Sequence, residues 1–551
     1  VPADSAYITT DTVRLLVPEA ALIVVAVATM IAGAFVRATS LWRYVALAGL
    51  LLAAALLAGG GELSAGDGLE AQDAIDADTW TSGPVLVDPF AMAVRWLALV
   101  SGALLVMSVP RDSAPGHLAE YFGALLLAVG GAMLAASAGD VVLLFLSLEL
   151  VSIPTYLLLL VARRSPQAEE AGAKYFFLSV LASALFLYGL SFLYGIGGST
   201  QLADIRTALA AANADEGLTR LAPLALVLLI AGLGFRLAVV PFHFYAPDVF
   251  EGSTHPNAGF LSIVPKIVGV VGVVRIVLMA MPGTETLAWQ ITLTLAVLTM
   301  TLGNVVALWQ DNVRRMLAYS SIAHAGYMLI GLAVAFGVAG GLETAPGLDG
   351  VGSVLFYLTA YAFASIGVFA ALAFLSPPGR SVDRVDQLAG LARSEPGVAL
   401  VIAVAMFSLA GIPPLAGFWG KFALLASAVS VDSVAPDAAV VRNWFLGLVV
   451  IALVNAAIAA AYYLRVVKVM FFDSSAAETA EASPDGVTAP APRDYSSFIA
   501  AVACAAIIAA IGIAPRRLME QTRWAGQSTA AVPATSAQAL EPVGEDLAKR
   551  D

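Results

Sequence analysis

Residues 231–250, AGLGFRLAVVPFHFYAPDVF, and residues 407–425, FSLAGIPPLAGFWGKFALL, are apolar runs with proline deep inside them and glycines close by. Gly232, Gly234 and Pro241 mark the first; Gly411, Pro413, Pro414, Gly417 and Gly420 mark the second. Proline removes a backbone donor and its ring collides with the preceding turn, so a helix through either run should break there. At membrane depth a break is tolerated only where protein or water lines the gap. The two stretches therefore predict helices interrupted inside a bilayer.

The surrounding chain is of the same kind. Its 551 residues are 60% hydrophobic and 12% charged, with a mean hydropathy of +0.87. A soluble domain carries about 25% charged residues, so too little polar surface is left to cover a water-soluble fold. A hydrocarbon core of about 30 Å takes roughly 20 apolar residues in helix. Spans on that scale fall near 15–37, 41–60, 88–110, 118–138, 140–162, 170–195, 222–247, 257–280, 286–308, 313–337, 351–376, 398–426, 443–471 and 495–514. The fold expected is an all-α polytopic membrane protein of about fourteen transmembrane helices. No GxGxxG, P-loop, HExxH or EF-hand pattern occurs, and Cys504 stands alone in an apolar run, so neither a disulfide framework nor a thiolate metal site is available. The net charge of −12 comes from acids clustered in a few loops and carries no nucleic-acid signal. Acids near the amino terminus (Asp4, Asp11) argue against a cleavable leader, so the first apolar run is expected to be a span.

The broken runs are the seventh and twelfth spans. They lie five apart, and because five is odd, two tandem five-helix units would insert in opposite senses. Spans 4–8 (118–280) and 9–13 (286–472) thus read as inverted repeats, an architecture that places ion sites at discontinuous helices near the midplane. Two independent proline kinks are the plainer alternative. Residues 1–117 hold three further helices and an acidic outer loop at 61–87. A low-complexity linker covers 473–494, the last helix 495–514, and a polar tail 525–551. Basic residues decide the orientation. With the amino terminus outside, the inner loops hold thirteen, among them Arg37, Arg43, Arg111, Arg163, Arg164, Arg314, Arg315, Arg380, Arg465 and Arg493, against Arg206, Arg220 and Arg442 outside. Both termini are then expected outside. Abundant alanine and arginine in place of lysine suit a high-GC bacterium, hence a bacterial plasma membrane.

Lysine is rare: only Lys174, Lys266, Lys421, Lys468 and Lys549 occur among 28 basic residues. The first three fall within predicted spans, where an ionisable side chain costs roughly 2.5–3.5 kcal/mol at a helix centre. Arginine would serve if a fixed charge were enough. A buried lysine can titrate near neutrality and arginine cannot, so lysine here reads as a proton carrier. Snorkelling to the interface is the bland alternative, strongest for Lys174 near its helix start. Glu149, in LLFLSLELVSIPTY (143–156), would stay ionised beside a cation and tune it. Arg236 precedes the first break and His243 follows Pro241. His324, in MLAYSSIAHAGYM (316–328), stands among Tyr319, Ser320, Ser321 and Tyr327, hydroxyls able to hold a water chain, and histidine can relay protons at physiological pH. A structural hydrogen bond is as good an account of either histidine alone. His117 and His255 look like loop residues.

The stretches FRLAVVPFHFYAPDVFEGS (235–253), PKIVGVVGVVR (265–275), RRMLAYSSIAHAGYM (314–328) and SLAGIPPLAGFWGKF (408–422) together resemble the antiporter-like subunits of respiratory complex I, NADH:quinone oxidoreductase. The likeness runs from about the third span through the thirteenth and is strongest to the N-type. That resemblance implies a proton-translocating subunit with no redox chemistry of its own. FMN, iron–sulfur clusters and quinone would lie in partner subunits. The expected partners are a neighbouring M-type subunit, small K/J/A-type subunits and lipid, and no nucleic acid. It implies that Glu149 pairs with a seventh-helix cation, that Lys266 is the central eighth-helix lysine and Lys421 the twelfth-helix lysine, and that His243 and His324 connect them. The family carries lysine at the seventh-helix position where this chain has Arg236, which can pair with Glu149 and set a field but not release a proton. Lys174 or Lys266 would then be the first titrating group. A subunit of a multisubunit sodium/proton antiporter or of a membrane-bound hydrogenase would share this scaffold, and a structural subunit with static charge pairs is the third reading.

Overall fold

The computed structural model describes residues 9–36, 41–63, 80–110, 116–162, 165–211, 217–345, 347–376, 381–432, 438–474 and 494–529. Most of the 61–87 loop, of the 473–494 linker and of the tail, and the orienting residues Arg37, Arg111, Arg163, Arg164, Arg380 and Arg493, lie outside them.

Helices account for nearly all of the described chain. In order they are α1 (Thr10–Leu15), α2 (Val17–Gly33), α3 (Leu41–Leu63), α4 (Pro89–Ser108), α5 (Leu118–Ala136), α6 (Val141–Ala162), α7 (Pro166–Gly197), α8 (Leu202–Ala211), α9 (Ala222–Leu237), α10 (Ala246–Gly252), α11 (His255–Gly272), α12 (Glu285–Ala307), α13 (Val313–Ala339), α14 (Gly350–Leu375), α15 (Leu391–Ser394), α16 (Pro396–Ala410), α17 (Ala416–Val429), α18 (Ala438–Phe472), α19 (Tyr495–Ile513) and α20 (Pro515–Gln527). Twelve spans among the described residues are long and apolar enough to cross a membrane. Shorter apolar helices stand where the sequence places the first span (α2) and the twelfth (α16 and α17). A two-stranded hairpin, β1 (Trp80–Ser82) with β2 (Val85–Val87), leads into α4, and Leu86 N–H donates to the Ser137 carbonyl at the end of α5.

Burial separates an inner from an outer set of helices. In α11, α13 and α14 between 89% and 94% of the apolar stretch is buried, against 33% in α7, α18 and α19. Where lipid is as apolar as leucine, helices associate through close packing and small residues. The α12–α13 crossing shows this: a Cβ on Gly303 would meet the Ala323 backbone nitrogen at 2.7 Å, and one on Gly326 the Met300 nitrogen at 2.7 Å. The inner helices are also those that carry Lys266, His324, Tyr357 and Tyr361.

Both proline runs interrupt their helices. α9 stops at Leu237, Ala238 turns left-handed (φ 56°), and the chain resumes as helix only at Ala246. α16 stops at Ala410, Gly411 turns left-handed (φ 88°), and α17 begins at Ala416. The Val240–Pro241 and Pro413–Pro414 bonds are cis. Residues 515–527, assigned to no transmembrane span by hydropathy, form α20, a polar helix laid across α14 and α4; Ala525, expected in the polar tail, is 1% exposed.

Candidate functional site

A helix that ends inside a bilayer leaves carbonyl oxygens without partners. Both breaks meet that need with a lysine. Lys266, on α11 and 2% exposed, donates to the carbonyl of Leu237, the last residue of α9 (3.3 Å). Lys421, on α17 and 6% exposed, reaches back across its own break to the carbonyls of Leu409 and Ala410 (2.9 Å each), the last residues of α16. The helix C-terminus carries partial negative charge, so it suits an ammonium. Among the described residues neither lysine has a carboxylate partner within ion-pair distance. The Lys421 ammonium also lies 5.1 Å above the Tyr327 ring, a cation–π contact.

Between the lysines stands His324, on α13 and 4% exposed, within electrostatic reach of both. Its direct partners come from other helices: Tyr357 of α14 meets Nδ1 at 2.5 Å and Tyr463 of α18 meets Nε2 at 3.0 Å. The local hydroxyls hold these phenols or turn elsewhere. Ser320 binds Tyr463, Ser321 accepts from Tyr361 (2.8 Å), and Tyr327 donates to the Ala452 carbonyl (3.0 Å). A small cavity lined by His324, Tyr357, Tyr361, Ser408 and Lys421 separates the imidazole from the ammonium.

At the first break Arg236 is the last-turn cation of α9. Its guanidinium donates to Glu149 Oε1 (3.0 Å), Ser152 Oγ (2.6 Å) and the Leu148 carbonyl (3.1 Å), all on α6; Ser183 of α7 donates to the same Glu149 oxygen (2.5 Å). The structure thus brings Glu149 and Arg236 together. His243 lies half-buried within the break, beside the Pro241 backbone. Lys174 is elsewhere: it sits between Asp248 (2.6 Å) and Glu170 (2.7 Å), with 38% of its side chain exposed. Asp248 is shared with Arg315 (2.7 Å), which also binds Glu251 (2.8 Å), so this cluster ties α10 to α7 and α13. Burial pushes the Asp248 carboxyl up, but hydrogen bonds from Lys174 and Arg315 outweigh it and hold the group below its ordinary range.

Sequence reasoning passed over Tyr357, Tyr361 and Tyr463, although a phenol repeating at i, i+4 in an apolar run (Tyr357, Tyr361) was a legible signal. It also missed two buried ion pairs. Arg275, in a π-helical turn (Val273–Leu278) that continues α11, is 0% exposed and bidentate to Asp88 (2.7 Å twice); Arg95 is bidentate to Glu19 (2.7 Å twice). His255, expected in a loop, is the buried first residue of α11.

The profile of a family described as NADH:quinone oxidoreductase/Mrp antiporter, TM, matches residues 138–447, more than half of the chain. The chain belongs to that family. Within it, NADH-quinone oxidoreductase subunit N 2 of Roseiflexus castenholzii is 39% identical over 406 residues, which cover 72% of this chain and 77% of that protein. NADH-quinone oxidoreductase subunit N of Granulibacter bethesdensis is 37% identical, covering 74% and 80%. A chain of respiratory complex I from Thermus thermophilus with bound aureothin superposes with a TM-score of 0.69 at 32% identity, over 91% of this chain and 98% of that one. The Mrp complex from Dietzia sp. (TM-score 0.72, 20% identity, covering 93% and 99%) shares the fold. This is an antiporter-like membrane subunit. The matched region spans Glu149, Arg236, both breaks, Lys266, His324 and Lys421.

Proposed function

We propose that the chain is a proton-translocating subunit of NADH:quinone oxidoreductase. It moves protons along Lys266, His324 and Lys421 in a bacterial plasma membrane, while partner subunits carry the flavin, the iron–sulfur clusters and the quinone. The observation that supports this most is the pair of buried ammonium groups held by helix-end carbonyls in place of carboxylates. A carboxylate would fix the charge; a carbonyl dipole stabilises it more weakly and leaves lysine able to give its proton up. Arg236, which keeps its proton, sets the field with Glu149. A change in that pair shifts the charge balance at the Leu237 carbonyl end, where Lys266 sits, and a proton passes through His324 and the cavity to Lys421. The halves would then be inverted units, with both termini outside.

The test replaces each lysine in the intact complex and measures proton pumping against NADH oxidation in membrane vesicles. Lys266→Ala and Lys421→Ala should assemble and lose most pumping, and Lys→Arg at either place should be nearly as damaging, because the charge stays but the proton does not leave. Normal pumping by both Lys→Arg variants would remove the titration argument. The family also includes Mrp antiporters; a subunit of that kind would move protons against a sodium gradient with no NADH present.

A further inference from the structure

His324 has a phenol on each ring nitrogen, and the two phenols lead to different places. A neutral imidazole donates from one nitrogen and accepts at the other, so a proton taken up on one side and released from the other crosses between Tyr463 and Tyr357. The Tyr357 side opens on the cavity that holds Lys421. On the other side the Tyr463 hydroxyl binds Ser320 Oγ, one helical turn nearer the start of α13, where Arg314 and Arg315 stand. Tyr462 lies against Tyr463 (ring centroids 4.3 Å) and donates to Asn304 Oδ1 at 3.1 Å, on the last turn of α12. Asn304 is itself held by Asn455 (3.2 Å). Ser320, Tyr463, Tyr462 and Asn304 are all buried. At about 1.5 Å per residue, Asn304 stands roughly 4.5 Å before the end of α12 at Ala307, just beyond which Arg465 binds the Leu308 and Gln310 carbonyls. A path from Lys266 to Lys421 has no use for this row of hydroxyls and amides.

We propose that Tyr463 and Ser320 form a second limb of the proton path, joining His324 to the α12–α13 end of the bundle, so that Lys421 is reloaded from that end as well as from Lys266. The inference rests on the proton-translocation reading above. A proton reaching the Ser320 oxygen sends the Ser320 proton to the Tyr463 oxygen, the Tyr463 proton to Nε2 and the Nδ1 proton to Tyr357, whose own proton goes on to a neutral Lys421; reorientation of the hydroxyls and return of the imidazole to its Nδ1–H tautomer reset the row. Tyr462 and Asn304 position Tyr463 and do not conduct, because an amide has no proton it readily exchanges.

The experiment uses the whole complex in vesicles with Tyr463→Phe and Ser320→Ala, each alone and with Lys266→Ala. Protons moved per NADH, the solvent deuterium isotope effect on pumping, and assembly are read together. Tyr121→Phe, which removes the hydroxyl of a buried tyrosine bound to Asn257 away from this row, should change nothing. With Lys266 in place, Tyr463→Phe should lower pumping only by the share that Lys266→Ala retains, and it should change the isotope effect. Parallel inlets predict that either change also removes the residual pumping of Lys266→Ala. Should Tyr463→Phe fail to assemble, Ser320→Ala decides. Residual pumping of Lys266→Ala left unchanged by both limb variants, where Lys421→Ala has lost pumping, overturns the second limb; pumping retained by Lys421→Ala overturns the translocation reading beneath it.

Discussion

The two broken helices share a backbone device and differ in the charge they place on it. Each helix stops at a left-handed residue, and each frees carbonyls that receive a lysine ammonium. At the first break the lysine comes from another helix, and the broken helix itself carries Arg236, bound by Glu149, Ser152 and the Leu148 carbonyl. At the second the lysine belongs to the broken span and faces a cavity with an imidazole and phenols beyond it. The first break thus holds a guanidinium fixed by a carboxylate beside its lysine, and the second holds a lysine alone beside the cavity.

The largest effect is expected at the left-handed residues themselves. A Cβ on Gly411 would lie 2.9 Å from Lys421 Cδ, at a φ that L residues rarely adopt. Gly411→Ala should therefore cost about 1–2 kcal/mol in backbone conformation. It should also displace the ammonium, lowering pumping by up to roughly a hundred-fold, the scale of a 1 Å misplacement. Ala238 already occupies the equivalent turn at φ 56°, and Ala238→Gly should pump normally. Equal tolerance of both changes, in vesicle pumping assays, would mean that the second break does not depend on where its lysine sits.

A smaller effect is expected at the fixed pair. Arg236→Ala and Glu149→Gln should each reduce pumping several-fold, and the double variant should be little worse than either, because each single change already breaks the pair. Arg236→Lys should retain most activity. It should shift the pH dependence, since an ammonium cannot reproduce the planar fork that reaches Glu149, Ser152 and the Leu148 carbonyl together. Strictly additive losses across the cycle would show that the two residues do not act as one unit.

The smallest effect lies away from both breaks, where α20 covers the start of α14. Asp349 caps α14 through the Val351 and Gly352 N–H groups, and burial under α20 raises its carboxyl to about 6, against the lowering by those N–H groups and Arg523. A carboxyl raised in the folded state favours folding below its unfolded pKa, and that contribution is lost as pH rises through about 6. Hydrogen exchange in α20 should therefore speed up from pH 5 to pH 7 beyond the intrinsic chemical increase. Asp349→Asn, still able to cap, should remove the excess.

Hydropathy and proline chemistry act within a few residues of the chain, so the membrane class, the sites of both breaks and the placing of Lys266 and Lys421 in apolar runs were legible before any fold. Even the distinction between Arg236 and Lys421 was legible, since it rests on residue type alone. What surrounds these groups was decided only by the tertiary structure. Tyr463 reaches His324 across 139 residues, Asp88 reaches Arg275 across 187, and the Leu237 carbonyl receives Lys266 across 29. Lys174 shows the limit most plainly. Its place in an apolar run admits both a carrier and a snorkelling side chain, and only the folding of α10 beside α7 brings Asp248 to 2.6 Å from its ammonium. A periodic pattern tells which residues lie in the membrane; which of them meet depends on how helices distant in sequence cross, and in lipid that is set by small residues and complementary shape at each crossing.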